Sequence, residues 1–235
     1  IVLGMNYLSH YYVANCPSNP NYTFGLLLPD FLRKQTKKIR LANEKIPQLS
    51  ASSQFFHKGV LCHYKADELF HQSDFFKKHL ANIQQVWKSC EFEQLHKYKF
   101  FLAHVLLEMM LDRLLLQTKP TVCKRFYQHL ANIEKKEYNK YVSAMQVPKG
   151  VAEKVFFDYE RFIKNQYLMK YLDKEKLING LNYVYERVTH LNISYKDKCE
   201  LISSLVYIEE AMQADYQKLY FDLKNELSIF FMTNF

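Results

Sequence analysis

Apolar residues recur every three or four positions along most of this chain, and that spacing is typical of amphipathic α-helices. Phe56 and Val60 show the pattern in its clearest segment, residues 53–72. Residues 17–22 are rich in turn formers and predict a loop, and Pro29 breaks the apolar run 23–33. Helices are predicted over residues 5–16, 53–72, 74–89, 95–117, 121–145, 151–169, 173–190 and 195–231.

The scarcity of turn residues favours an all-α fold over a β-rich one. The 235 residues include 5 Gly and 6 Pro, fewer than the many tight turns of an all-β domain require. Apolar residues make up 49% of the chain, which is enough for one large core. We therefore predict a single-domain multi-helix bundle over residues 5–235. Residues 1–4 precede Met5, and we expect them to be an N-terminal extension.

The charge balance bears on the kind of partner. Lys and Arg number 32 against 24 Asp and Glu, which gives a net charge of +8. Such a charge suits an acidic partner, although it also suits a basic surface that serves solubility. Lys and Tyr are both abundant, but they form no regular basic and aromatic stripe, so we predict no binding to nucleic acid.

The cysteines and the lengths of the apolar runs bear on the compartment. The five cysteines are scattered and form no CxxC pair, which argues against a disulfide framework and against a thiolate zinc site. No apolar run approaches the roughly 20 residues that a membrane-spanning helix needs. We therefore expect no stable membrane insertion and a cytoplasmic location.

Polar residues with metal-binding chemistry recur inside the predicted helices. His63, Asp67 and His71 follow one another at i, i+4 and i+8, which places them on one helix face. His104 and Glu108 repeat the i, i+4 spacing within an apolar segment, where a carboxylate needs a cation or a hydrogen-bonding partner. Imidazole and carboxylate groups on facing helices are a common way for a bundle to bind a divalent metal.

Two further residues extend this candidate site. Asp30 follows Pro29 at the end of the run GLLL, and His10 lies among apolar residues of the first predicted helix. Other readings remain open for all of these groups. Asp30, His63 and Asp67 could form a buried hydrogen-bonded cluster, His104 and Glu108 could be a satisfied pair, and His10 could be a core histidine bonded to a backbone carbonyl.

The same residues carry a resemblance to a known family. MNYLSH at 5–10, GLLLPDFLRK at 25–34 and GVLCHYKADELFHQS at 59–73 are similar to the opening of acyl carrier protein phosphodiesterases, also called acyl carrier protein hydrolases. The family typically has M-N-[FY]-L-A-H, then G-N-L-x-x-D-F-[VL]-[RK]-G, then G-[IV]-x-x-H-R-x-I-D-x-[FL]-T-D. Weaker similarity at 102–113, 166–188 and 216–223 extends the resemblance over nearly the whole chain from Met5.

The resemblance implies an all-helical, HD-phosphohydrolase-like fold and a hydrolytic activity. The family cleaves the phosphodiester between 4′-phosphopantetheine and a serine of holo-acyl carrier protein, with Mn²⁺ as the favoured ion. Asp30, His63 and Asp67 match its catalytic and metal-binding positions. A divalent metal suits this chemistry because it neutralises charge on the phosphoryl oxygens and supplies hydroxide near neutral pH. Mixed nitrogen and oxygen ligands also allow Fe²⁺, Mg²⁺ or Zn²⁺.

The chain departs from the family pattern at four positions. His71 and His104 stand where the family has aspartates, which exchanges one type of metal ligand for another. Glu108 replaces an aspartate and keeps a carboxylate on a longer arm, whereas Met109 replaces a histidine. We predict metal binding by Asp30, His63, Asp67, His71, His104 and Glu108.

A basic patch follows Asp30 and suggests how a substrate could be recruited. Acyl carrier proteins are strongly acidic, so Arg33, Lys34, Lys37 and Lys38 are predicted to bind and steer one towards the metal. The alternative for the patch is a solvated loop. The rival hypothesis for the whole chain is a non-catalytic helical protein that binds an acidic carrier protein, and another phosphoester remains an alternative substrate.

Overall fold

The structure is a computed structural model that describes residues 6–36, 38–41 and 49–234. Within these ranges the chain is helical and contains no β-strand, which confirms the predicted all-α class. The first six α-helices are α1 (Tyr7–Val13), α2 (Pro20–Gly25), α3 (Leu28–Gln35), α4 (Ala51–Gln72), α5 (Asp74–Val86) and α6 (Lys99–Thr118). The other six are α7 (Pro120–Leu130), α8 (Lys135–Ala144), α9 (Lys149–Asn165), α10 (Lys174–Thr189), α11 (Tyr195–Gln213) and α12 (Tyr216–Asn234). Two 3₁₀ helices, η1 (Leu95–Tyr98) and η2 (Tyr167–Leu172), precede α6 and follow α9.

Helix α6 lies in the middle of the hydrophobic core that the described residues form. Of its 20 residues, 14 are buried, and α1, α5, α7, α10 and η2 pack around it. Burial on nearly all sides explains why its apolar positions form an almost continuous run and not a one-sided stripe. The buried Arg113 is satisfied by Glu209, whose Oε2 lies 3.1 Å from its Nε, and by two carbonyl groups of η2.

One segment predicted as a single helix, residues 121–145, is divided into α7 and α8. In a continuous helix the carbonyl oxygen of Leu130 would accept the N–H of Glu134. It instead accepts the N–H of Ile133 and the hydroxyl of Tyr159 on α9. The break contains neither Gly nor Pro. It occurs because a tertiary hydrogen bond takes the place of the helical one.

The predicted helix 195–231 is also divided, here into α11 and α12. The chain turns at residues 214–215, where the carboxylate of Asp215 accepts hydrogen bonds from His79 at 2.7 Å and Lys78 at 2.6 Å. Both partners come from α5, more than 130 residues away along the chain. Helical periodicity continues across the turn, so the pattern alone did not reveal it.

Two further predictions, the loop at residues 17–22 and the break at Pro29, differ from the observed helices. Pro20 begins α2, so only the first part of the predicted loop is irregular. Pro29 lies in the first turn of α3, where a missing N–H costs nothing because no intrahelical acceptor is available to it. The proline therefore begins a helix instead of interrupting one. The predicted N-terminal extension, residues 1–4, lies outside the described residues.

Candidate metal centre

Two stripes of polar side chains lie along α4 and α6 in the interior of the bundle. They meet where Nε2 of His71 lies 3.0 Å from Nε2 of His104. Each stripe follows the i, i+4, i+8 spacing that puts side chains on one helix face. The members are His63, Asp67 and His71 on α4, and His104, Glu108 and Asp112 on α6.

The first cluster, which we call the His10 group, consists of His10, His63 and Asp67. Nε2 of His10 lies 3.1 Å from Oδ1 of Asp67, and Nε2 of His63 lies 3.4 Å from Oδ2. The two imidazole rings stack with their centroids 4.0 Å apart. Asp30 lies at the edge of the group, with Oδ1 4.0 Å from Nε2 of His63. One ligand atom from each member of the group lies within 4.8 Å of the others, so that one ion could contact all three.

The hydrogen bond of His63 determines which ring nitrogen faces the cluster. Nδ1 lies 2.8 Å from the carbonyl oxygen of Leu26, and since a carbonyl only accepts, Nδ1 carries the hydrogen. In the neutral ring, Nε2 then directs a lone pair towards the carboxylates of Asp67 and Asp30. That contact is repulsive unless a cation or a further proton lies between the groups. A metal-binding histidine characteristically has this pattern of one N–H on a carbonyl and one free lone pair.

His10 does not have the environment of a core histidine bonded to a backbone carbonyl. Its side chain is fully buried, and neither ring nitrogen has a hydrogen-bond partner among the described residues. Its contact with Asp67 is short but lacks hydrogen-bond geometry. Leaving a buried polar group without a partner costs about 1–3 kcal/mol. A cation bound between His10 and Asp67 would remove that cost.

Two glycines bring the Leu26 carbonyl within reach of His63. A Cβ added to Gly25 would lie 2.2 Å from the carbonyl oxygen of Phe56, and one added to Gly59 would lie 2.3 Å from that of Tyr22. Helices α2 and α4 therefore pack backbone against backbone, which only glycine permits at these two positions. The close approach places the carbonyl that follows α2 against the imidazole one turn beyond Gly59.

The second cluster, which we call the Glu108 group, consists of His71, His104 and Glu108. Nε2 of His104 lies 3.0 Å from Nε2 of His71 and 2.7 Å from Oε1 of Glu108. Nδ1 of His71 donates to the backbone carbonyl of Asp67 at 2.8 Å, which leaves Nε2 to face the cluster. Phe76 on α5 contacts both imidazole rings, with centroids 4.9 Å away in each case.

The ligand types and spacings of both clusters fit a divalent transition metal. Each offers two imidazole nitrogens and one carboxylate, a set that binds zinc and related ions. Metal–ligand bonds of about 2.0–2.2 Å place neighbouring ligand atoms roughly 3–3.5 Å apart, depending on the coordination geometry. The separations of 2.7–3.4 Å between the contacting ligand atoms agree with this spacing.

The carboxylates create a strongly negative interior that favours a cation. Burial raises the pKa of Glu108 well above its ordinary value, and the negative charges of Asp67, Asp30 and Asp112 raise it further, whereas Arg33 lowers it. Burial also lowers the pKa of His63, as does the neighbouring His10, while Asp67 and Asp30 raise it. Burial thus favours the protonated acid and the neutral imidazole, because the charged form of each group loses its solvation by water.

The six predicted ligands do not form one set. His71 shares a helix face with His63 and Asp67, yet its imidazole turns to His104 and Glu108 on α6. Asp30 lies beside the His10 group at 4.0 Å and outside the set of closest ligand atoms. His10 completes the first group. Its signal in the sequence was a lone histidine in an apolar helix, which does not distinguish a ligand from a core residue.

Asp112 continues the spacing of His104 and Glu108 but is not among the residues predicted from the sequence. It is fully buried and accepts the backbone N–H groups of Leu8 at 3.1 Å and Ser9 at 2.8 Å, together with the Ser9 hydroxyl at 2.7 Å. Burial raises its pKa to about 6, while these hydrogen bonds lower it. Asp112 thereby fixes the first turn of α1 against α6, directly before His10.

The predicted basic patch is distributed between the interior and the surface. Arg33 and Lys34 belong to the last turn of α3 and are half-buried, while Lys38 is exposed. Nζ of Lys34 lies 5.2 Å from the Tyr7 ring centroid, and burial lowers its pKa to about 8. Lys37 lies outside the described residues. The description of the patch as a solvated loop therefore fails for Arg33 and Lys34.

Comparisons with known proteins gave no relative. Neither a scan against protein-family models nor searches of curated proteins and solved structures produced a match. Within the described ranges, none of the helices combines the length and apolar character needed to cross a bilayer. The five cysteines, all within the described ranges, are free thiols, and neither cluster contains one.

Proposed function

We propose that this chain is a metal-dependent phosphodiesterase whose substrate is the phosphodiester between 4′-phosphopantetheine and a serine of holo-acyl carrier protein. The observation that carries the proposal is the His10 group. Two buried imidazoles and a carboxylate converge there, with their ligand atoms close to one another. The ring nitrogens of His10 form no hydrogen bond with any described residue. The proposal includes an HD-like arrangement of the helices.

The residues of the His10 group would hold the ion, with Asp30 adjacent. A divalent ion in this position supplies charge neutralisation at the phosphoryl oxygens and a hydroxide nucleophile near neutral pH. Mn²⁺ is our first choice, and Fe²⁺, Mg²⁺ and Zn²⁺ are compatible with nitrogen and oxygen ligands. The Leu26 carbonyl keeps the proton on Nδ1 of His63, so that Nε2 remains a ligand at any pH where the ring is neutral.

The positive side chains next to Asp30 support an anionic substrate. Arg33 is close enough to lower the pKa of Glu108, and Lys34 contacts the Tyr7 and Phe31 rings with its ammonium group. These two half-buried charges are suited to the phosphodiester, while the exposed Lys38 and the net charge of +8 suit the acidic surface of a carrier protein. The choice of this substrate rests on the resemblance of residues 5–10, 25–34 and 59–73.

The activity is tested by incubating the purified protein with holo-acyl carrier protein and Mn²⁺. Intact-protein mass spectrometry should show loss of the 4′-phosphopantetheine arm and appearance of the apo-protein. The His63→Asn variant should be inactive, because the asparagine amide preserves the hydrogen bond to Leu26 but lacks the ligand atom. His190→Asn is the matched control, since His190 is exposed and its left-handed backbone suits asparagine.

Two other outcomes would reject parts of the proposal. Hydrolysis of generic phosphodiesters or nucleotides without any effect on holo-acyl carrier protein would reject the proposed substrate but support a phosphodiesterase activity. Met109, which replaces a family histidine, favours the non-catalytic rival. That rival would be supported if protein purified without chelator contained no transition metal and gained no thermal stability from Mn²⁺.

A further inference from the structure

We infer that His71, His104 and Glu108 bind a second divalent transition-metal ion, in a site separate from the His10 group. The inference extends the metal centre of the proposed function, but its test needs no substrate. It follows from the number of protons available to the three ligand atoms, from the burial of Glu108 and from the orientation of His71.

The number of protons shows why hydrogen bonding does not satisfy this cluster. Nδ1 of His71 carries a hydrogen, because it donates to the carbonyl of Asp67. In the neutral ring its Nε2 is therefore an acceptor, 3.0 Å from Nε2 of His104. Oε1 of Glu108, an acceptor when the acid is ionised and a possible donor when it is protonated, lies 2.7 Å from the same nitrogen. Since Nε2 of His104 carries either one hydrogen or one lone pair, it forms a full hydrogen bond with at most one of these two groups.

Glu108 is the group that remains unsatisfied. Its side chain is 7% exposed, and Oε1 has no hydrogen-bond partner within the part of the chain that the structure describes. An ionised carboxylate buried in this way needs a cation or several hydrogen bonds. The oxygen faces Nε2 of His104 at 2.7 Å, and the ligand atom of His71 lies within 4.8 Å, so a cation bound by all three groups would satisfy it.

The chemistry of the ligands indicates the class of ion. Two of the three ligand atoms are imidazole nitrogens, which suit Zn²⁺ or Fe²⁺ better than the hard ions Mg²⁺ and Ca²⁺. Three protein ligands leave at least one coordination position open. Catalytic zinc sites have such an open position, whereas structural zinc sites have four protein ligands. Phe76 on α5 packs edge-on against both imidazoles.

Asp67 connects the two sites and also keeps them distinct. Its carboxylate belongs to the His10 group, whereas its backbone carbonyl orients His71 in the Glu108 group. The two sets of closely spaced ligand atoms share no residue. We therefore expect each ion to remain bound when a ligand of the other site is removed.

The test is the number of metal ions bound per chain. Wild-type protein is loaded with Zn²⁺ or Mn²⁺, separated from free metal by gel filtration and analysed by inductively coupled plasma mass spectrometry. We expect two ions per chain. His71→Asn keeps the hydrogen bond to the Asp67 carbonyl and removes the ligand atom, so it should bind one ion. His63→Asn should also bind one, the double variant none, and the control His190→Asn two.

The inference is overturned if the wild-type chain binds one ion or none, or if His71→Asn loses both ions while remaining folded by circular dichroism. Glu108→Gln, which preserves shape and removes the charge, provides a second variant with the same expected loss of one ion. Two bound ions without hydrolysis of holo-acyl carrier protein would reject the proposed function and leave this inference intact. One bound ion together with hydrolysis would support the proposed function and overturn this inference.

Discussion

The substitution Gly59→Ala should damage the His10 group from a distance, through helix packing alone. The new Cβ would lie 2.3 Å from the carbonyl oxygen of Tyr22, against the 3.4 Å at which ordinary contact begins. Helices α2 and α4 would then have to separate by about 1.1 Å, because both partners are backbone atoms. The Leu26 carbonyl would move away from Nδ1 of His63, which it now contacts at 2.8 Å.

The magnitude combines three effects. Overpacking costs about 1–3 kcal/mol, and the weakened hydrogen bond to Leu26 costs about 1 kcal/mol. Alanine favours the helix over glycine by about 1 kcal/mol, which offsets part of the loss. We expect a net loss of about 1–3 kcal/mol in the free energy of unfolding. A chain of this size loses about 2–4 °C in melting temperature for each kcal/mol.

Mn²⁺ affinity provides the functional measurement. Disturbing the partner that orients a metal-binding histidine typically costs about 10–100-fold in affinity. Gly150→Ala is the control, since Gly150 in α9 has no neighbouring atom within 4 Å of the added Cβ. It should leave metal affinity unchanged and alter the free energy of unfolding by less than about 1 kcal/mol. Wild-type stability and wild-type Mn²⁺ affinity in Gly59→Ala would refute the packing argument.

Two further predictions concern the buried carboxylates. Asp112→Asn should lower the free energy of unfolding by about 1–3 kcal/mol, because an amide group cannot accept the N–H groups of both Leu8 and Ser9 in place of a carboxylate. It should also shift the imidazole NMR signals of His10 in metal-free protein, and unchanged signals would count against this anchor of α1. For Glu108, the folded-state pKa is raised above the ordinary 4.5, so the fold prefers the protonated acid. In metal-free protein the contribution of Glu108 to stability should therefore be fully present below the unfolded-state pKa and be lost as the pH rises towards the raised folded-state pKa. Thermal melts across pH should show this slope, and Glu108→Gln or added Mn²⁺ should reduce it; a slope identical in Glu108→Gln would assign it to another group.

The sequence spacing of the polar residues was enough to predict which of them share a helix face. The i, i+4 and i+8 relation of His63, Asp67 and His71 places them on one face of any straight helix, and the same holds for His104 and Glu108. The division into two clusters was not predictable in this way. It depends on the direction in which each imidazole turns, and that direction is set by the carbonyls of Leu26 and Asp67.

Other features depended on contacts between distant parts of the chain. His10 and Asp112 belong to the site region because α1 docks on α6, a contact between residues about 100 positions apart. The division of residues 121–145 and 195–231 into separate helices likewise depends on Tyr159 and on the α5 partners of Asp215. Helical periodicity does not predict such contacts, because it indicates only which side of a helix is apolar.

The amino-acid pattern alone determined that this protein is a helical bundle and that acidic and imidazole side chains lie on helix faces within it. Both properties are local, since they follow from residues within a few turns of one another. The tertiary structure decided which of those side chains meet. Backbone contact at Gly25 and Gly59 and the anchoring of α1 by Asp112 bring groups from α1, α4 and α6 into two clusters, and only the packing of whole helices specifies such distances.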